Sequence, residues 1–253
     1  MNLSIVIPAH NEERRIGRTL EAYGEFYKEK FKDKVEILVI LNGCSDNTLG
    51  VVSNFSKKYK IIKYYNYPEK IGKGGAIIEG FKKAKGDLIG FVDADMATSP
   101  ESFYDLVEKI GDYDGIIASR WVKGAIITKK QQASRLIASR VFNFLVGMLF
   151  DMNYRDTQCG AKLFKKQAIE SIKDELGIAK YTLDVDILYR LKLKGYRVVE
   201  IPTVWHDQEQ SKLVLKNTVF NMFFSIIRIR LQYSRFKFIL NAYDKIWRFY
   251  FGK

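Results

Sequence analysis

The chain has 253 residues, is 47% hydrophobic, and carries 42 Lys and Arg against 29 Asp and Glu, a net charge of +13. That is enough apolar material for one large core or two modest ones, and it excludes a disordered or fibrous chain. With 2 cysteines and 4 prolines, no disulfide framework or Pro-rich linker is expected, and the absence of a basic-then-apolar leader points to a reducing, cytoplasmic setting.

In chain order, apolar runs that read as strands alternate with segments of helical period. Strands are expected at 3–8 ("LSIVIP"), 36–41 ("EILVIL"), 61–66 ("IIKYYN"), 88–93 ("LIGFVD") and 115–119 ("GIIAS"), and helices at 12–30, 46–58, 74–85 and 101–110. Such alternation predicts an α/β fold, a mostly parallel sheet covered by helices on both faces. Ligands of these sheets bind beyond the carboxyl ends of the strands. Three polar stretches fall there, "PAHNEE", "LNGCSDNT" and "DADMA", so all three are expected around one crevice.

The last of these carries the sharpest signal. Period-2 alternation predicts that Asp93 and Asp95 project to the same side if the strand continues through them. Two carboxylates side by side repel unless a cation lies between them, which makes them candidate ligands for a hard divalent ion. The plainer reading, acids at a helix start, is served by "SPE" at Ser99, Pro100 and Glu101, where the pattern predicts an N-cap, a first-turn proline and an early acid. "GKGGA" at 72–76 lacks the spacing of a dinucleotide fingerprint, since position 77 is Ile and no strand leads directly into it. It reads as a glycine-rich turn opening a helix near a diphosphate, with Lys73 in reach.

The positive charge is local. Residues 115–150 hold six Lys and Arg and no acid, and 212–253 hold nine with one acid, so these segments carry +6 and +8. In both, the cations interleave with runs such as "SRVFNFLVGMLF" and "TVFNMFFSIIRIRLQYSRFKFIL". The runs are too apolar for a nucleic-acid face and too short to span a bilayer. Two readings fit: helices lying in a membrane interface, or core helices whose Arg and Lys snorkel.

Taken together, "LSIVIPAHNEE", "GKGGAIIEGFKKAKGDLIGFVDADMAT", "RDTQCGAKLF" and "YTLDVDILYRLKLKGYRVVEIPTVW…SKL" resemble the inverting family 2 glycosyltransferases of GT-A fold, in the branch of dolichyl-phosphate glucosyltransferases and mannose synthases, over about residues 3–213. The resemblance implies a GT-A catalytic domain at 1–212 and amphipathic membrane-interface helices at 213–253. It places Pro8, Ala9, Asn11, Glu12, Asn42, Lys73, Asp93, Ala94 and Asp95 at the nucleotide-sugar donor, with Asp95 the direct ligand of Mg²⁺ or Mn²⁺ and Asp93 nearer the ribose. It places Arg120, Arg135, Gln158, Ser211 and Lys212 at the acceptor, and Asp184 where relatives carry a catalytic carboxylate.

Two departures from the family pattern matter. Ala97 stands where mannose synthases can supply a further metal ligand, and Leu41 and Asn42 stand where two acids are common. Loss of those acids counts against guanine, whose edge donors need paired acceptors, and favours uracil. The implied activity is transfer of a hexose, from a UDP-glucose-type donor, to dolichyl or polyprenyl phosphate with inversion, on the cytoplasmic face of a membrane and without a transmembrane helix. A GDP-mannose-dependent mannose synthase and a transferase acting on a soluble acceptor are the alternatives.

Overall fold

The computed structural model describes residues 2–128, 133–177, 182–206, 215–240 and 243, the side chains of 133–135 and 215–220 excepted. Nine strands are found among them: β1 (Leu3–Ala9), β2 (Val35–Asn42), β3 (Ile62–Tyr67), β4 (Leu88–Phe91), β5 (Gly115–Ser119), β6 (Ile126–Ile127), β7 (Lys162–Lys165), β8 (Val198–Pro202) and β9 (Val204–Trp205). The helices are α1 (Ile16–Phe31), α2 (Thr48–Lys58), α3 (Gly72–Lys83), α4 (Pro100–Lys109), α5 (Ala133–Phe150), α6 (Lys166–Glu170), α7 (Leu183–Leu193) and α8 (Leu215–Gln232). Each strand and helix expected up to residue 119 is present.

Seven strands form one sheet in the order β3-β2-β1-β4-β7-β5-β8, and β6 pairs with β9 in a small second sheet. The β1–β2, β2–β3, β1–β4 and β5–β8 pairs are parallel, whereas β7 runs antiparallel to both its neighbours, β4 and β5. The chain steps outward from β1 to β2 and β3, then returns to lay β4 on the other side of β1. That reversal leaves a crevice at the carboxyl ends of β1 and β4, where neighbouring connections diverge to opposite faces.

Alternation along the strands separates two cores. Leu3, Ile5 and Ile7 of β1 face the side packed by Ile16, Leu20, Tyr23 and Tyr27 of α1, Val52 of α2 and Phe103 and Leu106 of α4. Val6 of β1, with Leu38 and Ile40 of β2, faces Ala76, Ile77 and Phe81 of α3, and this second core continues through Phe142, Val146 and Phe150 of α5, Ile187 and Leu188 of α7, and Ile226 and Ile229 of α8. The start of α4 follows its sequence signature: Ser99 Oγ accepts from Ser102 N at 3.2 Å, and Pro100 occupies the first turn.

The two readings of the basic apolar segments both have a physical counterpart. One side of α5 is core, through Phe142, Val146 and Phe150. The other presents Ile137, Val141, Phe144 and Met148 at 63, 53, 71 and 65% exposure, a stripe of helical spacing that nothing in the described chain covers. Beyond α8, Phe236 and Phe238 are exposed as well. No helix among the described residues is long and apolar enough to cross a membrane.

Candidate active site

A cleft of about 590 Å³ opens at the crevice between β1 and β4, lined by Pro8 and Ala9 ending β1, His10 and Glu12 after it, Asn42 ending β2, Lys70, Gly72 and Lys73 at the start of α3, and Asp93, Ala94 and Asp95 after β4. The three polar loops therefore converge as the alternation of elements requires. The donor residues expected from sequence line it except Asn11, whose amide is tied to Ser45: Oδ1 accepts from Ser45 N at 2.8 Å, and Nδ2 donates to Ser45 Oγ at 3.1 Å. Asn11 takes a left-handed φ of 54°, a conformation that Asn tolerates, and so turns the chain into the loop before α1.

The two acids reach the cleft by a different route from the one alternation suggests. β4 ends at Phe91, and Asp93 and Asp95 lie in the turn beyond it rather than on an extended strand. The turn is closed by Ala97 N donating to Asp95 Oδ1 at 3.1 Å and by Met96 at φ 64°, a region costly for a long side chain. Thr19 Oγ1 of α1 donates to Ala94 O at 2.7 Å, fixing the residue between the acids.

Their electrostatic situations differ. Lys73 Nζ forms an ion pair with Asp93; desolvation pulls the ammonium down, but the charges of Asp93, Asp184 and Asp95 outweigh it and hold Lys73 protonated well above its ordinary range. Asp95 has no such partner among the described residues, and burial with the Asp93 charge beside it raises its carboxyl to about 6, against the lowering effects of the Ala97 N–H, Arg15 and Lys73. Excess negative charge thus resides on Asp95, with hard oxygen ligands that suit Mg²⁺ or Mn²⁺. No group of three or more His, Cys, Asp and Glu with metal-binding arrangement occurs among the described residues, so an ion here would complete its shell with substrate oxygens and water.

Asn42 is buried, and its Oδ1 accepts from Gly72 N at 2.9 Å while its carbonyl is 2.7 Å from His10 Nδ1. Its Nδ2 is the end of the side chain that can donate to a base edge. His10 and Lys70 were missed by sequence reasoning; His10 lies within "PAHNEE" and Lys70 two residues before "GKGGA", and position after a strand was the available signal. Glu12 faces Arg15, which donates to it from Nε at 2.7 Å and Nη2 at 2.6 Å.

On the far side of β4 the expected acceptor residues divide. Arg120 was expected to offer its fork to phosphate, but the fork is closed on Asp156: Nε to Oδ2 at 2.7 Å and Nη2 to Oδ1 at 2.9 Å, with the Arg120 backbone N also donating to Oδ2 at 3.0 Å. Burial lowers and Asp156 more strongly raises the guanidinium, which stays charged. Asp156 is itself held by its backbone N donating to Glu200 Oε1 at 2.8 Å. Gln158 has its Nε2 buried without a hydrogen-bond partner. Cys159 is buried, and burial with the Asp156 charge raises its thiol to about 12, consistent with a structural role. A Cβ at Gly160 would collide with the Asp93 carboxylate, so the "RDTQCG" turn forms one wall of the acid pocket.

Asp184, in the first turn of α7, accepts from Lys162 Nζ at 2.5 Å, and the same ammonium donates to Cys159 O at 2.6 Å. Lys162 is fully buried. A lysine in "GAKLF" reads as a surface cation, and nothing in the sequence marks it as the partner of a carboxylate 22 residues away. The side chain of Arg135, and Ser211 and Lys212, lie outside the described residues.

Residues 4–173 match the family model described as glycosyl transferase family 2. Among curated proteins, the glycosyltransferase AglD of Haloferax volcanii is 30% identical over 231 residues, which cover 90% of this chain and 37% of the relative. The dolichyl-phosphate beta-glucosyltransferases of Dictyostelium discoideum and Homo sapiens are 31% and 30% identical over 244 residues, each covering 91% of this chain, with 74% and 75% of the relative covered. The chain thus spans little more than a third of the archaeal relative and about three quarters of the eukaryotic ones. Among solved structures, glucosyl-3-phosphoglycerate synthase from Mycobacterium tuberculosis, in complex with Mn²⁺, UDP and phosphoglyceric acid, aligns with a TM-score of 0.69 at 16% identity over 90% of this chain and 78% of its own. The mannosyltransferase PcManGT of Pyrobaculum calidifontis, in complex with GDP-Man and Mn²⁺, aligns at 0.64 and 15% identity over 95% and 68%. These alignments identify the sheet and its helices as the GT-A arrangement.

Proposed function

The chain belongs to glycosyl transferase family 2, and from that premise we propose that it transfers glucose from UDP-glucose to dolichyl or another polyprenyl phosphate at a membrane surface. The observation that carries this reading is the convergence of Asp93, Asp95, Lys73 and Asn42 on one cleft at the sheet's reversal point. Support for the lipid-phosphate acceptor and for glucose comes from what the eukaryotic relatives are named for, and for the membrane from the uncovered stripe of α5.

Asp95, with Asp93 beside it, would hold a Mg²⁺ or Mn²⁺ ion, which would supply charge neutralisation for the departing nucleoside diphosphate. Asn42 Nδ2 donates to the uracil edge, and the loop from Pro8 to Glu12 bounds the base and ribose. Lys73, kept protonated by the acids around it, adds a positive charge at the diphosphate end of α3. A polyprenyl phosphate is largely a dianion near neutrality, its second pKa being about 6, so it attacks without surrendering a proton. No general base is needed, and Asp184 is correspondingly held by Lys162 rather than presented as one. Attack in line with the leaving diphosphate inverts the anomeric carbon to a β-linked product. Arg135, Ser211 and Lys212 are the acceptor-phosphate residues in this reading, and residues 213–253 join the exposed side of α5 at the membrane.

The test is to incubate purified protein with labelled UDP-glucose or GDP-mannose, polyprenyl phosphate and Mg²⁺ or Mn²⁺, and to count label extracted into organic solvent. Glucose should appear in the lipid phase only when metal and lipid phosphate are both present. Lipid-linked mannose as the main product would overturn the donor, and label appearing only on a water-soluble acceptor would overturn the lipid.

A further inference from the structure

Around the Arg120–Asp156 pair lie three N–H donors with nothing among the described residues to donate to. Trp121 Nε1, Trp205 Nε1 and Gln158 Nε2 are buried atoms without a hydrogen-bond partner. Folded proteins leave few buried polar atoms in this condition, and several in one place call for an explanation. The Arg120 guanidinium carbon is 5.6 Å from the Trp121 ring centroid and 5.1 Å from that of Trp205, so both indoles flank the same cation. Gln158 sits between Asp156, which grips Arg120, and Gly160, which abuts Asp93.

The cluster is wired to the loop that carries the acids. Trp205 is buried and forms an antiparallel bridge with Thr98, and His206 N donates to Ala97 O at 3.0 Å. Trp205 therefore stands next to the Asp95 turn, Trp121 joins it across Arg120, and Gln158 is two residues from the Gly160 that abuts Asp93. A ligand reaching them extends from the diphosphate position into the acceptor half.

The charges decide what kind of ligand. Arg120 is matched by Asp156 in a two-point ion pair, and Glu200 lies behind Asp156. Arg140 stacks 5.5 Å from Trp121 but is exposed to solvent. Among the described residues, the buried part of the cluster has no unmatched positive charge to hold a phosphate dianion, whereas indole and amide N–H groups are neutral donors that suit hydroxyl oxygens. We propose that Trp121, Trp205 and Gln158 are the specificity-determining residues for the transferred hexose, their N–H groups donating to its hydroxyl oxygens. This deepens the glycosyl-transfer reading above and rests on it.

The experiment pairs donor variants with sugar analogues. Trp121→Phe, Trp205→Phe and Gln158→Leu each remove one N–H while keeping an apolar body of similar shape. Wild type and variants are assayed with UDP-glucose and with its monodeoxy analogues on the hexose ring, together with inhibition by UDP and KM for polyprenyl phosphate. Each variant should lose about tenfold in kcat/KM for UDP-glucose, with UDP inhibition and the KM for lipid phosphate unchanged. For the analogue lacking the matching hydroxyl, wild type should be slowed by a similar factor and the variant no further, the non-additivity expected of two halves of one contact.

Equal losses on every analogue, with a raised KM for lipid phosphate, would place the donors on phosphoryl oxygens and overturn the proposal. Unchanged kinetics in all three variants would overturn it too, leaving the N–H groups to water. Should Trp205→Phe lower the melting temperature enough to spoil the assay, the half-buried Trp121 and Gln158 carry the test. Wild-type transfer of glucose to lipid phosphate alongside indifferent variants would remove this inference alone. If wild type turned over no nucleotide hexose, the reading of the cleft would fall and this inference with it.

Discussion

Residues 3–110 assemble the nucleotide side of the cleft from parallel strands, each followed at once by the loop it serves, and both acids there line the cleft: Asp95 has no ion-pair partner among the described residues, and Lys73 pairs with Asp93 at the cleft itself. Residues 115–205 assemble the other side by contacts between distant segments, and the charges there are closed on one another: Arg120 on Asp156, Lys162 on Asp184, Arg190 on Asp186 and Glu175. In the first region polarity is available for ligands and strains the fold. In the second it is internal mortar, and what remains for ligands is a set of neutral N–H donors.

The largest effect that would break this contrast concerns the mortar. Asp156→Ala strands a buried guanidinium and should cost about 3–5 kcal/mol of stability, read as a lowered urea midpoint with unchanged slope. A loss under about 1 kcal/mol would mean that Arg120 finds another partner and that the second region is less interlocked than its ion pairs suggest.

Asp95→Asn should do the opposite. It should reduce transfer by about a hundredfold or more, by weakening the metal site, without reducing stability near pH 7. The sign of its pH dependence follows from a carboxyl raised to about 6 from an ordinary 3.8. Between those values the folded protein binds the proton more tightly than the unfolded chain, so wild-type stability falls as pH rises through the window and the deficit persists above it. The asparagine variant lacks that decline, and its advantage should open from pH 4 to 6 by up to about 2 kcal/mol and then stay level. Parallel urea titrations of both proteins across pH 4–7.5 would show it; a constant difference would mean that Asp95 is not held in its raised state.

The smallest effect sharpens the contrast at the periphery. Replacing Ile137 and Phe144 on the uncovered stripe of α5 by Ser should leave thermal stability nearly unchanged, since both side chains are mostly exposed, while weakening sedimentation with anionic liposomes by about 1–2 kcal/mol per side chain. Equal sedimentation would leave membrane contact to the segment beyond residue 206.

The first region was legible in the sequence because its physics is local. Strand, polar loop and helix follow one another within about thirty residues, Ser99 caps the helix it precedes, and position at or just beyond a strand's carboxyl end sufficed to gather Pro8, Asn42 and Asp93. Even there, alternation placed the acids correctly for the wrong reason, since the strand stops at Phe91 and a turn presents them. The second region was opaque because its decisive partners are remote. Arg120 looked like a free phosphate fork until Asp156, 36 residues on, closed it, and buried Lys162 was indistinguishable from a surface lysine. The orphaned indoles left no trace in the sequence, because a tryptophan in a strand, as Trp205, or just beyond one, as Trp121, is unremarkable until its surroundings are known.

The antiparallel β7 has a consequence for how the molecule is made. β4 and β5 are successive strands along the chain up to residue 119, yet they do not pair; β7, residues 162–165, lies between them and bonds to both. During synthesis the nucleotide half can therefore form with β4 as a bare edge, an open row of backbone donors and acceptors that invites mispairing. Only after residue 165 has emerged can β4 be joined to β5, and the strand that joins them brings Gly160 against Asp93, whereas Lys162 must wait for Asp184, 22 residues further on. Joining the two halves of the sheet and walling the acid pocket are thus a single step, and a chain released before β7 has neither.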